Sequence, residues 1–280
     1  MTFTKPSGAT AVHYPSSRMR AGQFTLSTAL LRYMFASAVR DRLFLALPVM
    51  LAVAAALVIF LSGSAIIEQR EMAAALFGAT SRVLIIFGMV IFVCFHIRQA
   101  MTGGEIALIL SRPVSRGAFV LSYCFSMVCA GFICVAAGLV MVWLGARPPL
   151  GGLLIWGLTL ALETMLMIQM AIFFGLILNN AVSSVMACLG FYVLARMSGL
   201  LGALAVKADA GGGLPDVFLG YGFRLISLVI PRLDFFTRSE WLVYGVNGGE
   251  PGLGWPLLQA LVFAPLILAA TMIDFSRKRL

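Results

Sequence analysis

The strongest constraint on this chain is a succession of long apolar runs separated by short polar turns. They cover about Leu43 to Leu61, Val83 to Ile97, Ala118 to Leu144, Leu153 to Leu178, Val182 to Leu201 and Trp255 to Ile273. A helix needs about 20 predominantly apolar residues to cross a hydrocarbon core, within a range of roughly 17–25. Helices suit that medium because they satisfy every backbone hydrogen bond internally. Five runs reach this length, and Val83 to Ile97 does so if its first turns begin before Arg82. Pro48 falls near the start of the first run, where a missing amide hydrogen does least harm. The expectation is a single all-α integral membrane domain over residues 1–280, built as a six-helix transmembrane bundle.

Composition supports this. Hydrophobic residues make up 61% of the chain and charged residues 11%, with a mean hydropathy of +1.01. A water-soluble fold would have to leave large apolar patches exposed. The net charge of +9 does not indicate nucleic acid, because the basic residues flank apolar runs and form no aromatic-interleaved face. Cys94, Cys124, Cys129, Cys134 and Cys188 all lie in apolar stretches, without CxxC or Cys/His metal spacing. They read as small buried hydrophobes. His13 and His96 have no Cys or carboxylate companion close in sequence, and no metal site is expected.

Lysine and arginine beside the spans set the orientation. With both termini cytoplasmic, Lys5, Arg18, Arg20, Arg32, Arg40, Arg42, Arg98, Arg112, Arg116, Arg277, Lys278 and Arg279 lie inside. The remaining eight of the 20 lie outside, most of them around the long loop 202–254. Residues 1–42 hold Pro6, Pro15 and scattered Arg, without an apolar core or cleavage site, so the first span is expected to stay uncleaved. Arg82 and Arg196 are expected to snorkel to the outer headgroups. The corresponding location is a bacterial inner membrane.

Three stretches outside the spans carry their own pattern. Residues 27–42 suit an amphipathic helix on the inner surface, with Arg32, Arg40 and Arg42 at lipid phosphates and Leu31, Met34, Phe35 and Ala38 in the interface. In the loop 98–117, Thr102-Gly103-Gly104-Glu105 has capping-box spacing. Ile106, Ile109 and Leu110 then form one apolar stripe, Pro113 stops the helix, and Ser115 is placed to cap the next one. A short amphipathic helix between two spans suits docking. In the loop 202–254, Val217 to Ile230 is apolar enough for a re-entrant or interfacial helix. Pro231 ends it, and Phe235, Phe236, Trp241 and Tyr244 suit headgroup level.

Glu163 lies in the middle of the fourth run, with Gln169 six residues on. A carboxylate inside the membrane marks either a translocation path or a polar tie between helices, and both readings stand. Asn179 and Asn180 read as a turn. The 15 methionines read as packing in lipid-facing and core positions.

Residues 104–121, Gly-Glu-Ile-Ala-Leu-Ile-Leu-Ser-Arg-Pro-Val-Ser-Arg-Gly-Ala-Phe-Val-Leu, resemble the cytoplasmic loop of ABC-2 type permeases, where an acidic residue precedes Leu-Ser-x-Pro-Val-Ser-Arg. The ending Phe275-Ser276-Arg277-Lys278-Arg279-Leu280 is similar to that family's Phe-Arg-Arg-Lys-Asp-Leu, with Arg279 where an acidic residue is common. Ile230-Pro231-Arg232-Leu233-Asp234-Phe235-Phe236 resembles its Pro-x-Leu-Asp-x-Phe element.

The resemblance implies a permease subunit of an ATP-driven ABC exporter, paired with a second permease copy as a homodimer or heterodimer, and with two ATPase subunits. Residues 102–116 would form the coupling helix. Glu105 and Arg112 or Arg116 would contact the ATPase, while Ile106, Ile109 and Leu110 fill its groove. The chain has no G-x-x-x-x-G-K-[ST] loop, so ATP and Mg would be held by the partner, and no cofactor or enzymatic step is expected here. The alternative is a membrane scaffold or assembly factor without transport activity. An intramembrane enzyme finds no catalytic constellation beyond Glu163, and a secondary transporter finds no internal repeat.

Overall fold

A computed structural model describes residues 28–63, 69–111, 115–200, 203, 230–245 and 253–277. Among these the secondary structure is helical. The helices are α1 (Thr28–Arg40), α2 (Arg42–Ser62), α3 (Gln69–Thr102), α4 (Glu105–Leu110), α5 (Arg116–Ala146), α6 (Leu150–Ile177), α7 (Ala181–Arg196), α8 (Glu240–Tyr244) and α9 (Gly254–Arg277). A 3₁₀ turn at Leu233–Phe235 precedes α8.

Five of these helices, α2, α3, α5, α6 and α9, are long and apolar enough to cross a membrane. The stretch expected to supply another span, Val182 to Leu201, forms the 16-residue α7. At about 1.5 Å per residue it is roughly 24 Å long, against about 30 Å of hydrocarbon. The span expected at Val83 to Ile97 belongs to the 34-residue α3. That helix runs past Arg82 back to Gln69, because it is supported there by packing rather than by apolar composition.

Helices α3, α5 and α6 form the centre, each packed against the other two, with α7 and α8 on α3 and α6. α2 lies against α3 and α5, and α9 against α6 and α5. These two flanking helices keep most of their apolar residues exposed, among them Phe60, Val53, Leu261 and Leu266. Small residues set the close approach in the centre. Gly131, Gly138 and Gly145 repeat every seven residues along α5, and a methyl group on each would overlap Ile168, Ile85 and Phe77 respectively. Such a row lets backbones approach closely enough for dispersion to hold helices together.

The turns follow local chemistry. Asp41 breaks α1 from α2 with extended ψ of 136° and accepts from the Leu43 amide at 3.0 Å. Ser115 caps α5 by accepting from Ala118 N at 3.2 Å, as its position predicts. Asn180 caps α7 through Val182 N at 3.1 Å. Thr102 does not act as a cap. It is the last residue of α3, and its hydroxyl donates to the Arg98 carbonyl at 2.9 Å. The turn into α4 is made instead by Gly104, whose φ of +73° is open to glycine at little cost.

The amphipathic α1 also differs from expectation. Met34 and Ala38 are buried and Phe35 is half-buried against the core, so the stripe packs on α5. Ser126 of α5 donates to the Leu31 carbonyl at 3.3 Å. The N-terminal residues 1–27, the apolar stretch from Val217 to 229, and the last three residues lie outside the described residues.

Candidate functional site

A polar cluster is buried where α6, α7 and the segment 230–245 meet. Its centre is Glu163, fully buried on α6. Tyr192 of α7 donates to its Oε1 at 3.2 Å, and Thr237 donates to its Oε2 at 2.5 Å. Arg196, at the end of α7, brings Nη1 to 3.7 Å from Oε1. Thr159, one turn before Glu163, accepts from the Thr237 amide at 3.3 Å. Each carboxylate oxygen thus has a hydroxyl donor, and Oε1 also has a nearby cation, which is what a carboxyl group in low dielectric requires.

The shortness of α7 produces this geometry. Its sixteen residues bring Arg196 only to the depth of Glu163, fourteen residues before the end of α6. The chain bends at Met197, and the 3₁₀ turn at Leu233–Phe235 packs on α7. Leu233 and Phe236 are fully buried there, and their carbonyls both accept from Arg196 Nη1. From Thr237 the chain turns through φ +46°, and α8 then climbs along α6 and α3. Gly152 permits this, since a side chain there would strike the Trp241 carbonyl. A left-handed backbone on a β-branched residue is uncommon and costs on the order of 1–3 kcal/mol. It occurs at the residue that serves Glu163.

Arg82 and Arg196 therefore do not snorkel. Arg82 Nη1 donates to the Thr237 carbonyl at 3.1 Å and its hydroxyl at 3.4 Å. Over this cluster lies an open vestibule of about 620 Å³, lined by Arg82, Arg196, Thr237, Arg238, Ser239 and Glu240. Sequence reasoning singled out Glu163 but missed Tyr192, Thr159 and Thr237. The two arginines inside or beside apolar runs were the only signal, because their partners lie 37 to 155 residues away. Gln169 does not join the cluster. Six residues place it roughly 9 Å further along α6 and about 120° around it. It is buried, and its Oε1 has no hydrogen-bond partner among the described residues.

The residues read as a coupling element gather at the other end of the bundle. Glu105 opens α4 and is exposed. Ile106 is only 2% exposed and Ile109 packs against the core, so the stripe meets this chain's own helices and does not stand free to fill a partner's groove. The side chain of Leu110, and Arg112 and Pro113 altogether, lie outside the described residues. Arg116 is exposed at the start of α5 and donates to the Ser276 carbonyl at 3.1 Å and to that of Phe275 at 3.5 Å. With the Phe119–Phe275 ring stack at 5.8 Å, this fastens the end of α9 to α5.

Beside α4 a second cavity, about 630 Å³, is lined by Tyr33, Arg40, Asp41, His96, Gln99 and Glu105 among others. His96, isolated in sequence, holds Nδ1 at 2.9 Å from the Tyr123 hydroxyl. Comparison with protein-family models and with curated proteins finds no match to this chain.

Proposed function

We propose that the chain is a membrane-spanning permease subunit of an ATP-driven exporter, driven by a separate ATPase that docks on α4. The observation that carries this reading is the way α4 is held. Ile106 roots the helix in the core, where α4 packs on α3, while Glu105 stays exposed on the neighbouring face. A lever transmits force only if it is fixed to the body it moves, and α4 follows α3 directly through the turn at Gly104 and precedes α5 in the chain. The resemblance of residues 104–121 to ABC-2 permeases supports the same reading. On this reading the α4 end and both termini face the cytoplasm of a bacterial inner membrane, α7 completes a sixth crossing together with residues after Arg196, and a second permease copy pairs with this one. Docking runs through Glu105, Arg112 and Arg116, with Ile106 and Ile109 setting the helix in place. Glu163 and its partners would be the polar element within the path.

Mild-detergent purification from native membranes, with partners identified by mass spectrometry, tests the proposal. A stoichiometric partner carrying a P-loop is expected, and its ATPase activity should respond to this chain. Recovery of the chain without any nucleotide-binding subunit, under conditions that preserve known complexes, would overturn it in favour of a scaffold role.

A further inference from the structure

We infer that the vestibule above Glu163 is a binding site for a phosphate-type oxyanion. Three guanidinium groups, from Arg82, Arg196 and Arg238, line this one space of about 620 Å³, together with the hydroxyl-bearing Thr237 and Ser239. The acidic residue of the lining is Glu240, which is exposed at the rim, and Glu163 lies behind the floor. Among the described residues, these five charges sum to one unit positive. The adjoining Arg232 and Asp234 neutralise each other at 3.1 Å and do not change that balance.

The way these arginines are held points to an anion. Buried cations in proteins ordinarily meet a carboxylate directly. Arg82 instead meets the backbone carbonyl and hydroxyl of Thr237, and its Nε is buried with no hydrogen-bond partner among the described residues. Arg196 Nη1 spends its hydrogen bonds on the carbonyls of Leu233 and Phe236, and Glu163 stands 3.7 Å off, beyond a good hydrogen bond. Carbonyl oxygens fix the direction of a guanidinium without cancelling its charge. Arg82 is thus oriented by neutral oxygens, while Arg196 stands between those carbonyls and the Glu163 carboxylate.

A tetrahedral oxyanion suits the space better than a carboxylate. It offers three or four oxygens to the guanidinium groups that line the space and to the Ser239 hydroxyl, and arginine matches phosphate in bidentate geometry. The apolar flanks of α3 and α6 lower the local dielectric and strengthen the attraction. The phosphate can belong to a phospholipid headgroup or to a water-soluble ligand, and the site's chemistry is the same for both. The inference concerns this chain alone and goes beyond its partnership with an ATPase.

The purified full chain, in nanodiscs of phosphatidylcholine, would be titrated with inorganic pyrophosphate. In parallel it would be placed in nanodiscs with increasing phosphatidylglycerol. Thermal unfolding and tryptophan fluorescence would be followed, since Trp241 is buried on α8 beside the vestibule. At least one probe should raise Tm saturably. Arg238→Gln should weaken that effect about tenfold or more, and Arg82→Gln should do the same wherever it folds. Arg70→Gln, an exposed arginine near the start of α3, serves as the control. A response to pyrophosphate assigns a soluble ligand, and a response to phosphatidylglycerol alone assigns a headgroup. No response to either probe overturns the inference, and so does an equal loss in Arg70→Gln and Arg238→Gln.

Discussion

Thr237 donates its hydroxyl to Glu163 at 2.5 Å while its own backbone sits at φ +46°. The two residues are 74 positions apart, and Thr237 is in a sparsely populated conformation where it meets Glu163. Thr237→Val keeps the shape and removes the donor, leaving a buried carboxylate oxygen unsatisfied. The expected loss is on the order of 1–3 kcal/mol, read as a lower Tm in detergent, with Thr237→Ser close to the parent. Equal melting of the valine variant and the parent would show that the contact contributes nothing.

Glu163 and Arg196 should be energetically coupled. Removing one member of a buried pair leaves the other uncompensated, at a cost of about 3–5 kcal/mol. Glu163→Gln and Arg196→Gln should therefore each destabilise, and the double variant should lose clearly less than their sum. A coupling energy of about 1–3 kcal/mol is expected from a double-mutant cycle. Additivity to within about 0.5 kcal/mol would mean the two charges act independently.

On α4, neighbouring positions should separate two kinds of defect. Ile106→Asp places a charge in a site only 2% exposed and should lower Tm and insertion yield. Glu105→Lys changes an exposed side chain, so Tm should hold while the proposed ATPase no longer co-purifies. Full co-purification of Glu105→Lys would remove that residue from docking.

The glycine row on α5 should be intolerant of bulk. Gly138→Leu drives a side chain into Ile85 of α3, and overpacking of this kind costs about 1–3 kcal/mol. Gly190, with open space around it on α7, should accept alanine without a change in Tm. Equal melting of Gly138→Leu and the parent would argue that α3 and α5 are free to separate.

Much of the helical frame is legible from composition and punctuation. Leu43 to Leu61 lies within α2 because the run is uniformly apolar and Asp41 breaks the chain just before it. Ser115 caps where its position suggests, since capping is local chemistry, and Asn180, read as part of a turn, also caps α7. Thr102 misleads because its side chain bonds back to its own helix, and the left-handed turn at Gly104 takes over the junction. The start of α3 is hidden because Arg70, Glu71 and Arg82 depress the hydropathy of a helix that packing sustains. The Glu163 cluster could not be assembled from spacing at all. Arg82 and Thr237 lie 155 residues apart, and no periodicity connects them. The Pro231 to Phe236 stretch was visible as a pattern, but its work in presenting two carbonyls to Arg196 depends on α7 stopping early.

That early stop gives the molecule a clock. Ribosomes add about 5–20 residues per second, so Glu163 leaves the exit tunnel roughly 4 to 15 s before Thr237. Tyr192 and Arg196 arrive in between, on the helix that follows. The hydroxyl of Tyr192 and the guanidinium of Arg196 are thus available to the carboxyl group before the hydroxyl of Thr237 is made. Synthesis therefore passes through a stage in which Glu163, Tyr192 and Arg196 exist and Thr237 does not.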